Sequence, residues 1–200
     1  MLEERIKQAC MDELPARDCV FTGETLKSVN VQKVEFMQVR FEKCRFLECD
    51  FEGAAFYQCL LDRCDFSNCC FSGSYWKKSR VSGCKGSGAV FGKAVFKETE
   101  FSGCCLELSN FGGSTWEGST LGACSLKDAF FSEVKFKNTV ISKTDFSGVD
   151  FFRTELKGMD FSDSNIENIL LSDTFREVEG MKINMFQAGE ITKLLGVQIV

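Results

Sequence analysis

A strict five-residue period runs through most of this chain and limits what it can fold into. From Phe21 to Leu171, every fifth residue is large and apolar at 30 of 31 positions, and the one exception is Gly86. Both tryptophans and 17 of the 21 phenylalanines occupy these positions, and no insertion breaks the series. An α-helix repeats one face every 3.6 residues and a straight strand every two. A period of five therefore predicts short extended segments with a bend between successive repeats.

A second series, of small residues, runs two positions ahead of the first. It extends from Cys19 to Ile169, and 28 of its 31 members are Cys, Ser, Thr, Val or Ala. The exceptions are Glu24, Met159 and Ile169, near the ends of the tract, where the coils of a solenoid are expected to be atypical. Each repeat thus predicts three extended residues, small inward, polar outward and large inward, followed by a two-residue corner. Ten of the 17 glycines lie at this corner, where a positive φ favours glycine.

Individual repeats resemble those of a known family. Residues 44–48 (Cys-Arg-Phe-Leu-Glu), 64–68 (Cys-Asp-Phe-Ser-Asn) and 144–148 (Thr-Asp-Phe-Ser-Gly) are similar to the consensus of pentapeptide-repeat proteins. The resemblance implies an all-β fold, a right-handed quadrilateral β-helix in which four repeats form one square coil and residues twenty apart stack on one face. With strands about 4.8 Å apart, the 31 repeats predict almost eight coils and a rod roughly 37 Å long.

The extent of the period divides the chain into three parts. We predict an N-terminal cap at residues 1–18, the β-helix at residues 19–174, and a C-terminal helix and strand at residues 175–200 that cap the rod and mediate dimerisation. Caps are expected because the open ends of a β-helix expose unpaired strand edges, which promote aggregation unless they are covered.

Both predicted caps contain helix signals. In the N-terminal cap, residues 3–14 predict a short amphipathic helix that Pro15 stops. In the C-terminal segment, Asn184 is a candidate N-cap for a helix over residues 185–195, closed by Gly196. Residues 197–200 then predict a final strand.

The twelve cysteines favour reduced, buried thiols over disulfides or metal ligands. Stacking at twenty-residue intervals places five of them in one inward column: Cys44, Cys64, Cys84, Cys104 and Cys124. Side chains in such a column point the same way at about 4.8 Å, whereas the Cβ atoms of a disulfide need about 3.5–4.5 Å and a tetrahedral metal site needs converging ligands. Cys70 and Cys105 precede large apolar positions and are expected to point outward.

The composition excludes the common catalytic arrangements. There is no histidine, which removes the commonest general base and metal ligand, and no serine has a base beside it. Gly86-Ser87-Gly88 lacks the further glycine and following helix of a phosphate-binding loop and is interpreted as a defect in one coil. We therefore expect no enzymatic activity, no cofactor and no metal.

Charge and hydropathy suggest a soluble, cytoplasmic chain. The first seven residues include four charged side chains where a secretory signal would be apolar, and no apolar run is long enough to span a membrane. The net charge is −5 and basic residues are not clustered, which disfavours direct binding of nucleic acid or membranes.

Candidate binding residues concentrate near the end of the repeats. Between residues 145 and 173 there are seven acidic residues against two basic ones, and the outward positions of one coil are all acidic. Two phenylalanines are predicted to point outward on adjacent coils, and exposed apolar clusters often mark contacts. The predicted partner-binding residues are Asp145, Asp150, Glu155, Asp160, Asp163, Phe130 and Phe152.

The C-terminal segment carries a second, narrower resemblance. Residues 180–188 (Gly-Met-Lys-Ile-Asn-Met-Phe-Gln-Ala) and 194–197 (Leu-Leu-Gly-Val) are similar to the ending of the Qnr and MfpA branch of the family. The resemblance implies a tail-to-tail homodimer that binds DNA gyrase or topoisomerase IV in place of duplex DNA and so opposes quinolones. The predicted dimerisation residues are Phe186, Ile191, Leu194 and Leu195.

Charge density leaves two functions open. Duplex DNA carries one charge per about 1.7 Å, so a mimic along the whole rod would need roughly twenty negative charges. The chain has five in excess, but the same excess falls within residues 145–173, where it matches the density of DNA. The sequence therefore supports either a topoisomerase-binding partial DNA mimic or a pentapeptide-repeat scaffold for another protein partner.

Overall fold

A computed structural model describes residues 1–198, in which very short strands follow one another between two terminal helices. Helix α1 (Leu2–Asp12) precedes the strands, and helix α2 (Ala188–Leu194) follows two 3₁₀ turns, Arg176–Val178 and Met185–Gln187. The strands in chain order are β1 (Ala16–Arg17), β2 (Val20–Thr22), β3 (Thr25–Lys27), β4 (Glu35–Met37), β5 (Arg40–Glu42), β6 (Arg45–Leu47), β7 (Ala55–Tyr57), β8 (Leu60–Asp62), β9 (Tyr75–Lys77), β10 (Arg80–Ser82), β11 (Val95–Lys97), β12 (Glu100–Ser102), β13 (Thr115–Glu117), β14 (Thr120–Gly122), β15 (Lys135–Lys137) and β16 (Val140–Ser142).

The repeats stack into four parallel ladders, which we call faces 1 to 4. Face 1 is the sheet β1-β4-β7-β9-β11-β13-β15, and face 2 is the sheet β2-β5-β8-β10-β12-β14-β16. Face 3 begins as the pair β3-β6 and continues as single bridges up to Asp145↔Asn165, and face 4 consists of bridges from Asn30↔Asp50 to Asp150↔Leu170. Paired residues on these faces are twenty apart, which confirms the quadrilateral β-helix predicted from the five-residue period.

Two inward columns on each face form one continuous core. All 31 positions of the large-residue series are buried except Phe136 and Leu171, which are half-buried. Along face 4, the ring centroids of Phe51, Phe71, Phe91 and Phe111 lie 4.7, 5.0 and 4.9 Å from the next ring in the column. Burying one such side chain contributes about 1.5–3 kcal/mol, so these columns dominate the stability of the rod.

The small inward residues also satisfy backbone groups inside the coil. The Cys44 thiol donates to the carbonyl of Phe21 at 3.3 Å, and the Ser79 hydroxyl donates to the carbonyl of Phe56 at 3.0 Å. The Ser79 oxygen in turn accepts from the amide of Cys59, also at 3.0 Å. Cysteine, serine and threonine therefore suit these positions because each is small and can donate to a buried carbonyl.

The corners impose a left-handed backbone on whatever residue occupies them. All ten glycines predicted at corners have a positive φ, for example Gly148 at 69°. Many corners are not glycine, and Lys143 and Asp128 have φ values of 46° and 55°. Such residues cost about 1–2 kcal/mol each in this conformation. The coil geometry, supported by burial on both sides of the corner, therefore outweighs local preference.

Gly86 leaves no empty space in the core. A Cβ atom added there would lie 2.2 Å from Phe66 Cε2 and 2.9 Å from Leu106 Cδ2. Phe66 and Leu106, the neighbours on the same face, therefore occupy the space that a large side chain fills in all the other repeats. Neighbouring side chains therefore fill the site.

Helix α1 covers the first coil, as the sequence predicted, although it begins at Leu2 and ends at Asp12. Leu2 and Ile6 are buried in the core, and the Leu2 amide donates to Glu24 Oε2 at 2.6 Å. The first amides of a helix have no partner within the helix. Glu24 departs from the small-residue series because its carboxylate binds one of them.

The end of the rod continues its pairing in a new register. Asp160 bridges Lys182, 22 residues on, and the amides of Leu156 and Phe161 donate to the carbonyls of Glu177 and Lys182, both at 2.9 Å. Two additional residues therefore enter the turn after Leu171, which is why the five-residue pattern fades there while the backbone pairing persists.

Two polar side chains close the last coil. Asn184 caps the following turn as predicted, accepting from the amides of Phe186 and Gln187. Its Nδ2 also donates to the carbonyl of Ser162 at 2.6 Å, and Gln187 Nε2 donates to the carbonyl of Phe161 at 2.9 Å. Carbonyl groups that would otherwise face a missing coil are thereby satisfied.

The predicted C-terminal helix begins as the 3₁₀ turn Met185–Gln187, continues as α2, and is followed by Gly196 with a φ of 74°. Of the strand predicted at residues 197–200, residues 197 and 198 have no regular secondary structure, and residues 199 and 200 lie outside the described residues. Among residues 1–198, neither helix is long and apolar enough to cross a membrane.

Candidate functional site

Three of the predicted acidic residues open tight turns of the last complete coil. One carboxylate oxygen of Asp145, Asp150 and Asp160 accepts from the amide two residues further on, at 2.9, 2.8 and 2.9 Å. A short acidic side chain is favoured at this position because it forms this local bond. These aspartates therefore have a structural role. The second carboxylate oxygen of Asp150 also accepts from the Ser132 hydroxyl, at 2.9 Å, which leaves the second oxygens of Asp145 and Asp160 for a partner.

The acidic side chains encircle the rod and do not converge on one point. Asp145 and Asp150 are half-buried on faces 3 and 4, whereas Glu155 and Asp160 are exposed on faces 1 and 2. Asp163 is exposed at a corner, where it accepts from the amide of Lys143 at 3.0 Å. Such a ring can present negative charge to a surrounding protein surface, but it lacks the convergent geometry of a metal site. Nowhere in residues 1–198 do three or more metal-ligating side chains cluster suitably.

The environment favours the ionised form of Asp160. Hydrogen bonds from Ser162, with the nearby Lys182, hold the pKa of this carboxyl below its ordinary value. Lys182 belongs to the C-terminal segment, so it also offsets part of the acidic charge at this point of the ring.

Phe130 and Phe152 lie together on face 4, as predicted. Phe130 bridges Asp150, which bridges Leu170, and Phe152 follows Asp150 by two residues. The exposed fractions of the three apolar side chains are 48% for Phe130, 38% for Phe152 and 57% for Leu170. The Arg153 guanidinium lies 4.8 Å from the centroid of the Phe152 ring. Face 4 thus combines an apolar strip with the Asp150 carboxylate, a surface suited to a protein contact.

A cleft at the end of the rod involves a residue that the sequence did not single out. It has a volume of about 830 Å³ and lies between residues 152–157 and 172–180. Glu177 lines it, is 96% buried, and accepts from the amides of Arg153 and Ser172 at 2.9 and 3.2 Å. In earlier coils corner amides donate to a backbone carbonyl of the next coil, as the Glu133 amide does to the carbonyl of Phe152. The Glu177 carboxylate takes the place of that carbonyl.

Burial by itself raises the pKa of Glu177, but hydrogen bonds from Ser172 and Arg153 outweigh it, and the pKa lies below the ordinary value. The carboxylate is therefore charged at neutral pH. No local motif marks such a residue, because its partners become neighbours only when the last coil closes.

The four predicted dimerisation residues divide into two kinds. Phe186 is 89% exposed and Leu195 is also exposed. Ile191 and Leu194 are half-buried and pack against the core of their own chain. The apolar residues of the C-terminal segment therefore have two roles. Ile191 and Leu194 hold α2 on the rod, whereas Phe186 and Leu195, which flank α2, leave apolar surface uncovered.

All twelve cysteines are free thiols. Eight are buried, including the column Cys44, Cys64, Cys84, Cys104 and Cys124, and Cys70 and Cys105 are half-buried at outward positions. Cys19, at the start of the small-residue series, was expected inside but is half-buried because only the helical cap lies above it.

The chain matches known proteins along its repeats. A model of a pentapeptide repeat region matches residues 54–131, and a model of eight pentapeptide repeats matches residues 117–151 and 131–168. No curated protein matches the chain significantly.

Solved structures match over most of the chain. A trypsin-treated form of QnrB1, described as a plasmid-mediated fluoroquinolone resistance protein, is 20% identical with a TM-score of 0.50, and the match covers 92% of this chain and 99% of that one. HetL, described as involved in heterocyst differentiation regulation in the cyanobacterium Nostoc sp. strain PCC 7120, is 11% identical with a TM-score of 0.37, covering 78% and 86%. At 20% identity, the match with QnrB1 shows a shared fold. Together with the family models, which span more than half of the sequence, the four parallel ladders establish that this chain belongs to the pentapeptide-repeat family.

Proposed function

We propose that this chain is a non-enzymatic, cytoplasmic protein-binding rod that acts as a partial DNA mimic, binds DNA gyrase or topoisomerase IV, and confers quinolone resistance. The observation that carries the proposal is the ring of carboxylates around the last complete coil. Asp145, Asp150, Glu155 and Asp160 place one acid on each face, and Asp163 adds a fifth at a corner.

The charge density of this segment supports the mimic. Residues 145–173 carry a net charge of −5 over about 1.5 coils, a length of about 7 Å. Duplex DNA carries about four charges over that distance. Elsewhere on the rod acids pair with bases, as in Arg80–Glu100 at 2.8 Å and Lys137–Glu117 at 2.7 Å. The mimicry is therefore confined to one end.

Dimerisation through α2 would extend the acidic surface. The acidic coil is adjacent to the C-terminal segment, and Phe186 and Leu195 leave apolar surface uncovered there. In a tail-to-tail homodimer the two acidic coils would flank a common centre, which doubles the length of DNA that the charge can imitate.

The alternative function is a scaffold for another protein partner. It is favoured by the apolar strip of Phe130, Phe152 and Leu170, because DNA mimicry needs no exposed aromatic rings. A scaffold would use this strip with Asp150 and would leave the topoisomerase unaffected.

A supercoiling assay with purified DNA gyrase distinguishes the two functions. Replacing Asp145, Asp150 and Asp160 by Asn and Glu155 by Gln removes four charges, while Asn retains the acceptor oxygen that each turn needs. We expect the fold to persist, inhibition of gyrase to weaken, and the remaining inhibition to depend less on salt.

A matched control neutralises four acids in the first coils: Glu42, Glu48, Asp50 and Asp62. Bases already offset these acids, as Arg63 does for Asp62 at 2.8 Å, so this variant should inhibit nearly as well as the wild type. If wild-type protein at micromolar concentration leaves supercoiling unchanged with and without a quinolone, the DNA mimic is rejected and the scaffold takes its place.

A further inference from the structure

Two of the four faces separate between the coil of β15 and β16 and the coil that follows. On face 1 the Gly118 amide donates to the carbonyl of Lys137 at 2.9 Å, but one coil later the Asn138 amide forms no such bond with Lys157. The Phe136 amide likewise lacks the bond to the carbonyl of Glu155 that the ladder predicts. Within residues 1–198, no backbone-to-backbone hydrogen bond joins residues 135–143 to residues 155–163, and the Lys143 amide donates instead to the Asp163 side chain at 3.0 Å.

The same two coils remain joined on the other two faces. The Phe146 amide donates to Asn165 on face 3 at 2.8 Å, and the Phe151 amide donates to Leu170 on face 4 at 2.9 Å. Side-chain bonds close the two ends of the opening, from the Val134 amide to Thr154 Oγ1 at 2.9 Å and from the Thr144 amide to Ser164 Oγ at 3.2 Å. The two coils are therefore separated by a wedge-shaped gap along faces 1 and 2.

The C-terminal segment accounts for the opening. The backbone of residues 155–163 bonds to the backbone of Glu177, Gly180 and Lys182, in the register of 22 residues described above, and not to the backbone of the coil beneath. The edge of β15 is left facing a groove of about 650 Å³, lined by residues 133–136 and by Arg153, Glu155 and Lys157. Phe136 lines this groove and is only half-buried, unlike its counterparts Phe96 and Trp116 in the same column.

The groove has a positive border on an otherwise acidic protein. Three basic residues line it: Lys135, Arg153 and Lys157. Of the two nearby acids, Glu133 already pairs with Arg153 at 3.4 Å, whereas Glu155 has no ion pair with any of residues 1–198. An occupant with carboxylate side chains would meet a complementary field here.

We propose that the groove along β15 binds an acidic, extended peptide segment of a partner protein by strand addition. The amides of Phe136 and Asn138 donate to carbonyl groups of the peptide and so restore the bonds that the ladder lacks. An apolar peptide side chain covers Phe136, and flanking carboxylates lie near Lys135 and Lys157. Backbone bonding of this kind supplies affinity, and the alternating side chains supply specificity. Peptide binding in this groove is independent of topoisomerase binding.

Amide hydrogen exchange of the free protein tests the opening itself. The amides of Phe136 and Asn138 should exchange faster than those of Trp116 and Gly118, which hold the same positions one coil earlier with their ladder bonds intact. Equal protection of the two pairs at low protein concentration would overturn the proposal. Protection that develops only at high protein concentration would assign the groove to a second copy of the chain, which also overturns it.

A synthetic peptide tests the occupant. The probe is acetyl-Thr-Glu-Val-Asp-Val-Glu-Thr-amide, and its control carries N-methyl groups on both valines, which prevents strand pairing while leaving the charges in place. The first peptide should bind and protect the Phe136 and Asn138 amides, and the control should do neither. No binding at millimolar concentration, or equal binding of both peptides, contradicts strand addition.

Charge variants test the predicted complementarity. Lys135→Glu should weaken binding of the acidic peptide about fivefold, since an attraction near the groove becomes a repulsion. Lys77→Glu is the matched control, because Lys77 is exposed on the same face in the fully paired strand β9. Equal weakening by both variants would show non-specific attraction and would overturn the proposed site.

Discussion

At the scale of single residues, Gly86 shows how a defect in the repeat is absorbed. Phe66 and Leu106 occupy the space of the missing side chain, so even a methyl group has no room. We expect Gly86→Ala to destabilise the protein by about 1–3 kcal/mol through overpacking. Gly92→Ala is the control, since the nearest atom to its added Cβ is 3.8 Å away. Denaturant unfolding that finds the two variants equally stable would contradict this account.

The cysteines also make a prediction at this scale. Burial raises the pKa of the Cys59 thiol to about 11, and a buried thiol is out of reach of an alkylating reagent in any case. Mass spectrometry after native treatment with iodoacetamide should find no more than four labels, at Cys10, Cys19, Cys70 and Cys105. Denaturation should expose all twelve. Rapid native labelling of Cys64 or Cys84 would mean that the coils open far more readily than their packing indicates.

At the scale of elements, the C-terminal cap depends on one buried carboxylate. Since the pKa of Glu177 is depressed in the folded state, its stabilisation is complete above the pKa of an unfolded glutamate and is lost as the pH falls through the folded value. Glu177→Gln retains an acceptor for the Arg153 and Ser172 amides but removes the charge, and should cost about 1 kcal/mol at neutral pH.

The pH profile separates this effect from a general loss of packing. The wild type should lose its advantage over Glu177→Gln as the pH falls below the usual range of glutamate, measured by thermal unfolding at each pH. Glu179→Gln, an exposed residue of the same cleft, serves as the control and should follow the wild type. A constant difference between wild type and Glu177→Gln at every pH would show that the charge is not what stabilises the cap.

At the scale of the whole molecule, the two ends of the rod are capped differently. Helix α1 buries Leu2 and Ile6 and covers the first coil. Ile191 and Leu194 pack helix α2 against the core of the rod. Phe186 and Leu195 on either side of the helix are exposed, so this end has apolar surface left to bury. Dimerisation is therefore expected at the C-terminal end.

Substitutions in the C-terminal segment test this dimer. Leu194→Asp and Phe186→Asp should both yield monomers by light scattering, because an unpaired carboxylate in the interface costs several kcal/mol per ion and the twofold axis imposes that cost twice. Phe186→Asp is the cleaner test, since Phe186 does not support its own chain, whereas Leu194 does. A wild-type protein already monomeric at micromolar concentration would reject the dimer.

The coil could be predicted from the sequence. Its five-residue period is carried by the buried columns, from Phe41 beneath Leu61 to the aligned thiols, and each repeat contains the information for its own bend. The same holds for the corner glycines, the Asn184 cap and the outward direction of Phe130 and Phe152. These features are local or strictly periodic, so they can be read without knowing which distant residues meet.

The arrangement of the chain beyond the last repeat could not be predicted from the sequence. Three features depend on how the C-terminal segment folds back on the last coil. Glu177 replaces a missing carbonyl, the paired residues become 22 apart, and β15 is left with an open edge. The tertiary structure also determines that Ile191 and Leu194 face their own core while Phe186 does not. The physical reason is that these contacts join residues whose spacing follows no repeat, and backbone groups at a chain end take whichever partner the closed fold brings near.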